Sequence, residues 1–139
     1  MTVPNVQVWV RSSSPQGKMA RTILVADDNR QFLKMLSRVF EIEAEYDLCA
    51  EATNGREAIA LAIQHRPELI ILDLAMPEVN GIEASVELKQ IMPDIPIIIL
   101  TQYAEIAKAM PPAGLPFDRV VSKADAAELM DHVRSLLPA

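Results

Sequence analysis

Leu69-Ile70-Ile71-Leu72-Asp73 is the stretch that decides the fold, because its outline recurs along the chain. Ile23-Leu24-Val25-Ala26 runs into Asp27-Asp28, Ile97-Ile98-Ile99-Leu100 into Thr101, and Val120-Val121-Ser122 into Lys123. Short runs of Ile, Leu and Val, separated by segments of helical period, read as strands of a parallel sheet buried on both faces. Ligands of such sheets bind in the crevice outside the carboxyl ends of the strands. The residues closing the runs would therefore gather on one edge: the carboxylates of Asp27, Asp28 and Asp73, the hydroxyl of Thr101 and the ammonium of Lys123. That set suits a divalent metal and a phosphoryl group.

From Thr22 the pattern is βα repeated, with Asp47 to Glu51 as the second strand. The first helix, about Asn29 to Ile42, lines up Phe32, Leu33, Leu36, Val39 and Phe40. The second begins at Asn54, with Glu57 placed for a capping box, and presents Ala58, Ile59, Ala62 and Ile63. The third follows Asn80-Gly81, where Glu83 repeats the arrangement, and ends before Pro93. The last is capped by Asp125 with Glu128 and carries Leu129, Met130, Val133, Leu136 and Leu137 as an apolar stripe. Right-handed crossovers put these helices on both faces, giving an α/β, doubly wound, five-stranded parallel sheet. The fourth helix, Tyr103 to Met110, reads as short or broken, because Pro111 and Pro112 stop it.

Residues 1–20 read differently, as a flexible N-terminal extension before a domain of residues 21–139. Val6-Gln7-Val8-Trp9-Val10 alternates like a strand, but Ser12-Ser13-Ser14-Pro15-Gln16-Gly17 then reads as linker. At 139 residues, half of them hydrophobic and 23% charged, the chain is sized and composed as one soluble globular domain. A net charge of −6 argues against direct contact with nucleic acid, since nothing would neutralise a run of phosphates. No apolar run approaches the ~20 residues needed to span a bilayer. The amino terminus lacks the apolar core of a signal peptide, so a cytoplasmic protein without a membrane partner is expected. The single cysteine, Cys49, excludes an internal disulfide and reads as a small buried hydrophobe.

Taken singly, each candidate has a commonplace explanation. One or two of the aspartates could be helix N-caps, a threonine at a strand end reflects β-propensity, and a lysine is usually solvated. Together they make chemical sense. In the strand order 2-1-3-4-5, strands one and three are neighbours and bring Asp27, Asp28 and Asp73 within a few ångströms. Three such carboxylates repel one another unless a cation neutralises them. Mg²⁺ suits that role as a hard ion that takes oxygen ligands and keeps waters for a phosphate to replace. Thr101 would donate to a phosphoryl oxygen and Lys123 would offset its charge.

The stretches ILVADDN, ATNGREAIALAIQHRPELIILDLAMPEVNGIEA, IPIIILTQY and VVSKADAAEL resemble the receiver domain of two-component response regulators, especially receivers that precede LuxR-type helix-turn-helix domains. The resemblance runs from about Thr22 to Leu137 and implies a flavodoxin-like topology. It implies that Asp73 is the phosphoacceptor, that Asp28 and Asp73 bind Mg²⁺ directly with the Ala75 backbone carbonyl, and that Asp27 binds through water. Thr101 and Lys123 match the switch hydroxyl and the phosphate-contacting lysine. The implied partners are a sensor histidine kinase and either an effector protein or a C-terminal output domain absent from this chain, and a homodimer is left open. Such a domain catalyses only its own phosphorylation and dephosphorylation and is not otherwise an enzyme.

Two departures stand out. The family usually carries an aromatic three residues before the lysine, where this chain has Val120, a residue expected to be buried. Tyr103 is the nearest substitute, in a different position. The lysine is usually followed by a proline, here Ala124. The absent aromatic and the proline-broken fourth helix favour a rival reading, a receiver-fold scaffold that binds its partner without phosphorylation; the intact set of five site residues opposes it. A phosphatase of the haloacid dehalogenase type would need Asp-x-Asp on its first strand. A flavin or nucleotide binder would need a glycine- or hydroxyl-rich loop where Ala26-Asp27-Asp28-Asn29 stands. His65 and His132, expected on helix surfaces without acidic neighbours at ligand spacing, offer no internal phosphate donor.

Overall fold

Strand parity accounts for a core on each side of the sheet. In a computed structural model, which describes residues 20–103, 105 and 115–138, the strands are β1 (Arg21–Ala26), β2 (Tyr46–Ala52), β3 (Leu69–Asp73), β4 (Ile97–Thr101) and β5 (Arg119–Ser122). They pair in parallel in the order β2-β1-β3-β4-β5, as the sequence led us to expect. The described helices are α1 (Arg30–Ile42), α2 (Gly55–His65), α3 (Gly81–Ile91) and α4 (Ala126–Leu136). Ile23, Val25, Leu69, Ile71, Ile98, Leu100 and Val121 turn toward α1 and α4, where Leu33, Leu36, Phe40, Leu129 and Val133 meet them. Their neighbours Leu24, Ala26, Ile70, Leu72, Ile97 and Ile99 turn toward Ala58, Ala62, Ala84 and Leu88 of α2 and α3. Every residue of β3 and β4 is buried, which is why those runs do not alternate.

β2 manages both faces by a bulge. Ile23 pairs with Leu48 and Leu24 with Ala50, so Cys49 is skipped. Tyr46 and Leu48 consequently join the α1 side, while Ala52 joins the α2 side. Cys49 is half-buried rather than buried. The Tyr46 ring meets Phe40 edge-on, and its hydroxyl donates to Leu137 O at 2.8 Å, fastening the edge strand to the end of α4.

Helix boundaries follow the caps. Asn80 and Glu83 form a complete capping box at α3. At α2, Asn54 accepts from the Glu57 N–H, but the Glu57 carboxylate reaches one residue further back, to the Thr53 N–H. Asp125 accepts from the Glu128 N–H at α4. Several expectations need correction. Ile63 is 47% exposed, because it lies off the face that α2 turns to the sheet. Val120 is half-buried, since the short β5 is an outer strand. His132 does have an acidic neighbour, Glu128, one helical turn away at 3.9 Å, whereas His65 is exposed. Residues 1–19 of the expected extension, and residues 104 and 106–110 of the expected fourth helix, lie outside the described residues. No described helix is long and apolar enough to cross a membrane.

Candidate functional site

The carboxyl ends of β1, β3, β4 and β5 converge on an open cleft of about 500 Å³ lined by Asp28, Asp73, Leu74, Ala75, Thr101 and Lys123, with Asn29, Gln102 and Tyr103 at its margin. Parity sorts the charged groups. Asp27 continues the face of Ile23 and Val25, Asp73 that of Leu69 and Ile71, and Lys123 that of Val121, so all three arrive on the α1 side. Thr101 continues the opposite face.

Each side chain is held by its own strand end. Asp27 is fully buried: its N–H donates to Ala52 O at 2.9 Å and its Oδ1 accepts the Asn29 N–H at 2.8 Å. Asn29 in turn caps α1, accepting from the N–H groups of Gln31 and Phe32. Asp28, between them, is exposed at the cleft. Beyond Asp73, the Leu74 N–H donates to Leu100 O at 2.8 Å, and Leu74 O accepts the Gly81 N–H at 2.9 Å. The acceptor loop is thus pinned on both sides. Thr101 is buried, and its Oγ1 accepts the Tyr103 N–H at 2.9 Å, leaving the hydroxyl proton to donate elsewhere. The Lys123 N–H extends the β4–β5 ladder to Thr101 O at 3.1 Å.

The electrostatics are dominated by one ammonium among three carboxylates. Lys123 Nζ lies 2.7 Å from Asp27 Oδ2 and 3.4 Å from Asp73 Oδ2. The first contact is an ion pair rather than an aligned hydrogen bond, since Asp27 Oδ2 is buried without a hydrogen-bond partner of good geometry. Nζ also stands 4.7 Å from the centre of the Phe32 ring. Burial, then the charge of Asp27, pushes the Asp73 carboxyl up to about 6; Lys123 opposes the rise and Asp28 adds to it.

Asp27, Asp28 and Asp73 each offer an oxygen within 4.8 Å of the others. Hard oxygen donors, two of them buried and one of those buried oxygens without an aligned donor, fit a hard divalent cation. The sequence-predicted set is therefore brought together, Ala75 included. Sequence reasoning missed three residues. A Cβ on Gly81 would lie 2.4 Å from Asp73 O, so α3 can approach the acceptor strand only with glycine there. Asn80-Gly81 had read only as a helix start. Gly55 is likewise confined, since a Cβ there would run into the Val79 carbonyl oxygen. Phe32 had read only as part of the apolar face of α1.

Comparison with known proteins agrees with this geometry. The profile of the response regulator receiver domain matches residues 23–134. The chain is 35% identical over 89 residues to the chemotaxis protein CheY of Thermotoga maritima, covering 64% of this chain and 73% of that protein. It is 39% identical over 94 residues to a protein-glutamate methylesterase/protein-glutamine glutaminase of Paramagnetospirillum magneticum, covering 68% of this chain and only 26% of the relative. Among solved structures, the response regulator TrrA of Thermotoga maritima, in complex with Mg²⁺-BeF, aligns with TM-score 0.74 and 30% identity, over 84% of this chain and 99% of that one. A LuxR-family response regulator from Aurantimonas aligns with TM-score 0.75 and 27% identity, over 85% of each chain. The chain belongs to the response regulator receiver domain family, a family of signal-transduction domains.

Proposed function

We propose that Asp73 accepts a phosphoryl group from the phosphohistidine of a sensor histidine kinase, with Mg²⁺ as cofactor, and that the aspartyl phosphate changes the surface offered to an effector or to an output domain outside this chain. The observation that carries the reading is the juxtaposition of Asp73 with Lys123 at 3.4 Å and with Asp27 and Asp28 within 4.8 Å, at one open cleft. That the related TrrA forms a complex with Mg²⁺-BeF supports the choice of metal.

In the transfer, an Asp73 carboxylate oxygen forms a bond to phosphorus while the donor's P–N bond breaks and its electron pair stays with the imidazole. Asp27, Asp28 and Asp73, with the Ala75 carbonyl, would hold Mg²⁺, Asp27 through water. Bound Mg²⁺ supplies a cation that neutralises phosphoryl charge. Lys123 supports the phosphoryl oxygens from the α1 side and Thr101 donates its hydroxyl proton from the other. Hydrolysis then returns Asp73 and inorganic phosphate, so the domain turns over only its own modification. A cytoplasmic location forms part of the same proposal.

The test is incubation of the purified chain with acetyl phosphate and Mg²⁺. One phosphate per chain, released by neutral hydroxylamine and absent from Asp73→Asn, is the expected result. Undiminished uptake by Asp73→Asn would overturn the assignment.

A further inference from the structure

Lys123 has a partner that is not a carboxylate. Its ammonium stands 4.7 Å from the centre of the ring of Phe32, a half-buried residue in the first turn of α1. Four contacts close a circuit around this pair. Lys123 Nζ meets Asp27 Oδ2 at 2.7 Å, Asp27 Oδ1 accepts the Asn29 N–H, and Asn29 Oδ1 accepts the Phe32 N–H at 3.1 Å. The ring itself packs on the α1-side core. Its position is therefore fixed from both ends, by the helix cap above and by apolar packing below.

We propose that Phe32 is a positioning residue for phosphoryl transfer, acting through Lys123. The inference deepens the phosphoacceptor reading and rests on it. The ammonium is held by Asp27 and Asp73. Both anions belong to the set that would hold a divalent cation, Asp73 directly and Asp27 through water, and the cation would also repel the ammonium. Once Asp73 carries a phosphoryl group, its carboxylate charge is gone and the ammonium must move to a phosphoryl oxygen. Both carboxylate contacts thus weaken as the reaction proceeds. The face of the Phe32 ring does not titrate and does not ligate a hard ion, so its attraction for the ammonium persists in every state. It keeps Lys123 within reach of the phosphoryl group while its other partners change.

The experiment compares the full chain with Phe32→Leu, which keeps apolar packing, and Phe32→Tyr, which keeps the ring. Wild-type Lys123 ε-methylene protons should show an upfield ring-current shift, with and without Mg²⁺ and beryllofluoride; Phe32→Leu should abolish it and Phe32→Tyr should retain it. Phosphate uptake from acetyl phosphate should slow about tenfold in Phe32→Leu, recover in Phe32→Tyr, and leave Mg²⁺ affinity within about twofold. In a Lys123→Met background, Phe32→Leu should cause no further loss, because its effect runs through the missing ammonium. Normal uptake by Phe32→Leu, or an equal loss in the Lys123→Met background, overturns the positioning role and leaves the acceptor assignment intact. A wild-type chain that takes up no phosphate overturns the acceptor reading and, with it, the positioning role.

Discussion

The Lys123 ammonium lies nearer to Asp27, at 2.7 Å, than to Asp73, at 3.4 Å. It therefore serves as the internal counter-ion of the carboxylate cluster and stands where it opposes an incoming cation. Lys123→Met should destabilise the metal-free chain by roughly 2–4 kcal/mol, because buried Asp27 loses its only cation among the described residues. The same change should tighten Mg²⁺ binding several-fold at pH 8, above the value of about 6 to which the Asp73 carboxyl is pushed. Calorimetric titration with Mg²⁺ checks the sign, and weaker binding by the variant would refute the counter-ion role.

Asp73 gives the domain a pH dependence of definite direction. Its carboxyl is pushed up to about 6, above its ordinary value of 3.8, chiefly by burial. Between these values the folded state holds a proton that the unfolded state has released, so stability falls as pH rises through about 6. Asp73→Asn removes that cost. The variant should be more stable than wild type by about 1–3 kcal/mol at pH 7.5, with the gap closing toward pH 4. Urea melts across that range, without metal, measure the difference; a gap that widens on acidification would contradict the linkage.

Gly81 should tolerate no side chain. A Cβ there would meet the Asp73 carbonyl oxygen at 2.4 Å and Leu74 Cα at 3.1 Å, backbone atoms that cannot swing aside. Gly81→Ala must either push α3 away from the sheet or move the strand end that carries the acceptor. We expect a loss of roughly 2–4 kcal/mol in urea melts. Phosphate uptake should fall as well, because the Gly81 N–H that pins Leu74 O shifts with the helix. A neutral Gly81→Ala would mean that the acceptor loop is far softer than its hydrogen bonds indicate.

That glycine marks the limit of what the sequence could tell. The strands were legible because β1, β3 and β4 are buried on both faces and so spell unbroken apolar runs. The site was legible because each of its charged or hydroxyl residues interrupts or closes such a run. Asn54, Asn80 and Asp125 were legible as caps because capping is a local, short-range interaction. The Cys49 bulge was not: Asp47 to Glu51 reads as an ordinary strand until its register against β1 is known. Gly81 and Phe32 were hidden for a similar reason, since close backbone approach and ammonium-over-ring contact exist only between elements distant in the chain. Ile63 misled because an apolar residue at the margin of a helix face carries no mark of which side it falls on.

The switch itself should be muted. The resemblance to receivers implies that phosphate draws the threonine inward and that an aromatic three residues before the lysine follows, repacking the face around β5 and α4. Val120 occupies that position, half-buried against the α2-side core, and has no ring to swing. Tyr103 is 62% exposed at the cleft, and its N–H is bonded to Thr101 Oγ1 at 2.9 Å, so movement of the Thr101 hydroxyl is passed first to its backbone. A ligand shifts a two-state equilibrium only by its differential affinity for the two states. Beryllofluoride with Mg²⁺ should therefore change amide chemical shifts mainly after Asp73 and after Thr101, with Tyr103 the most responsive side chain. Large changes running through residues 118–137 would show that the usual coupling survives without its aromatic, and that Val120 does not limit the response.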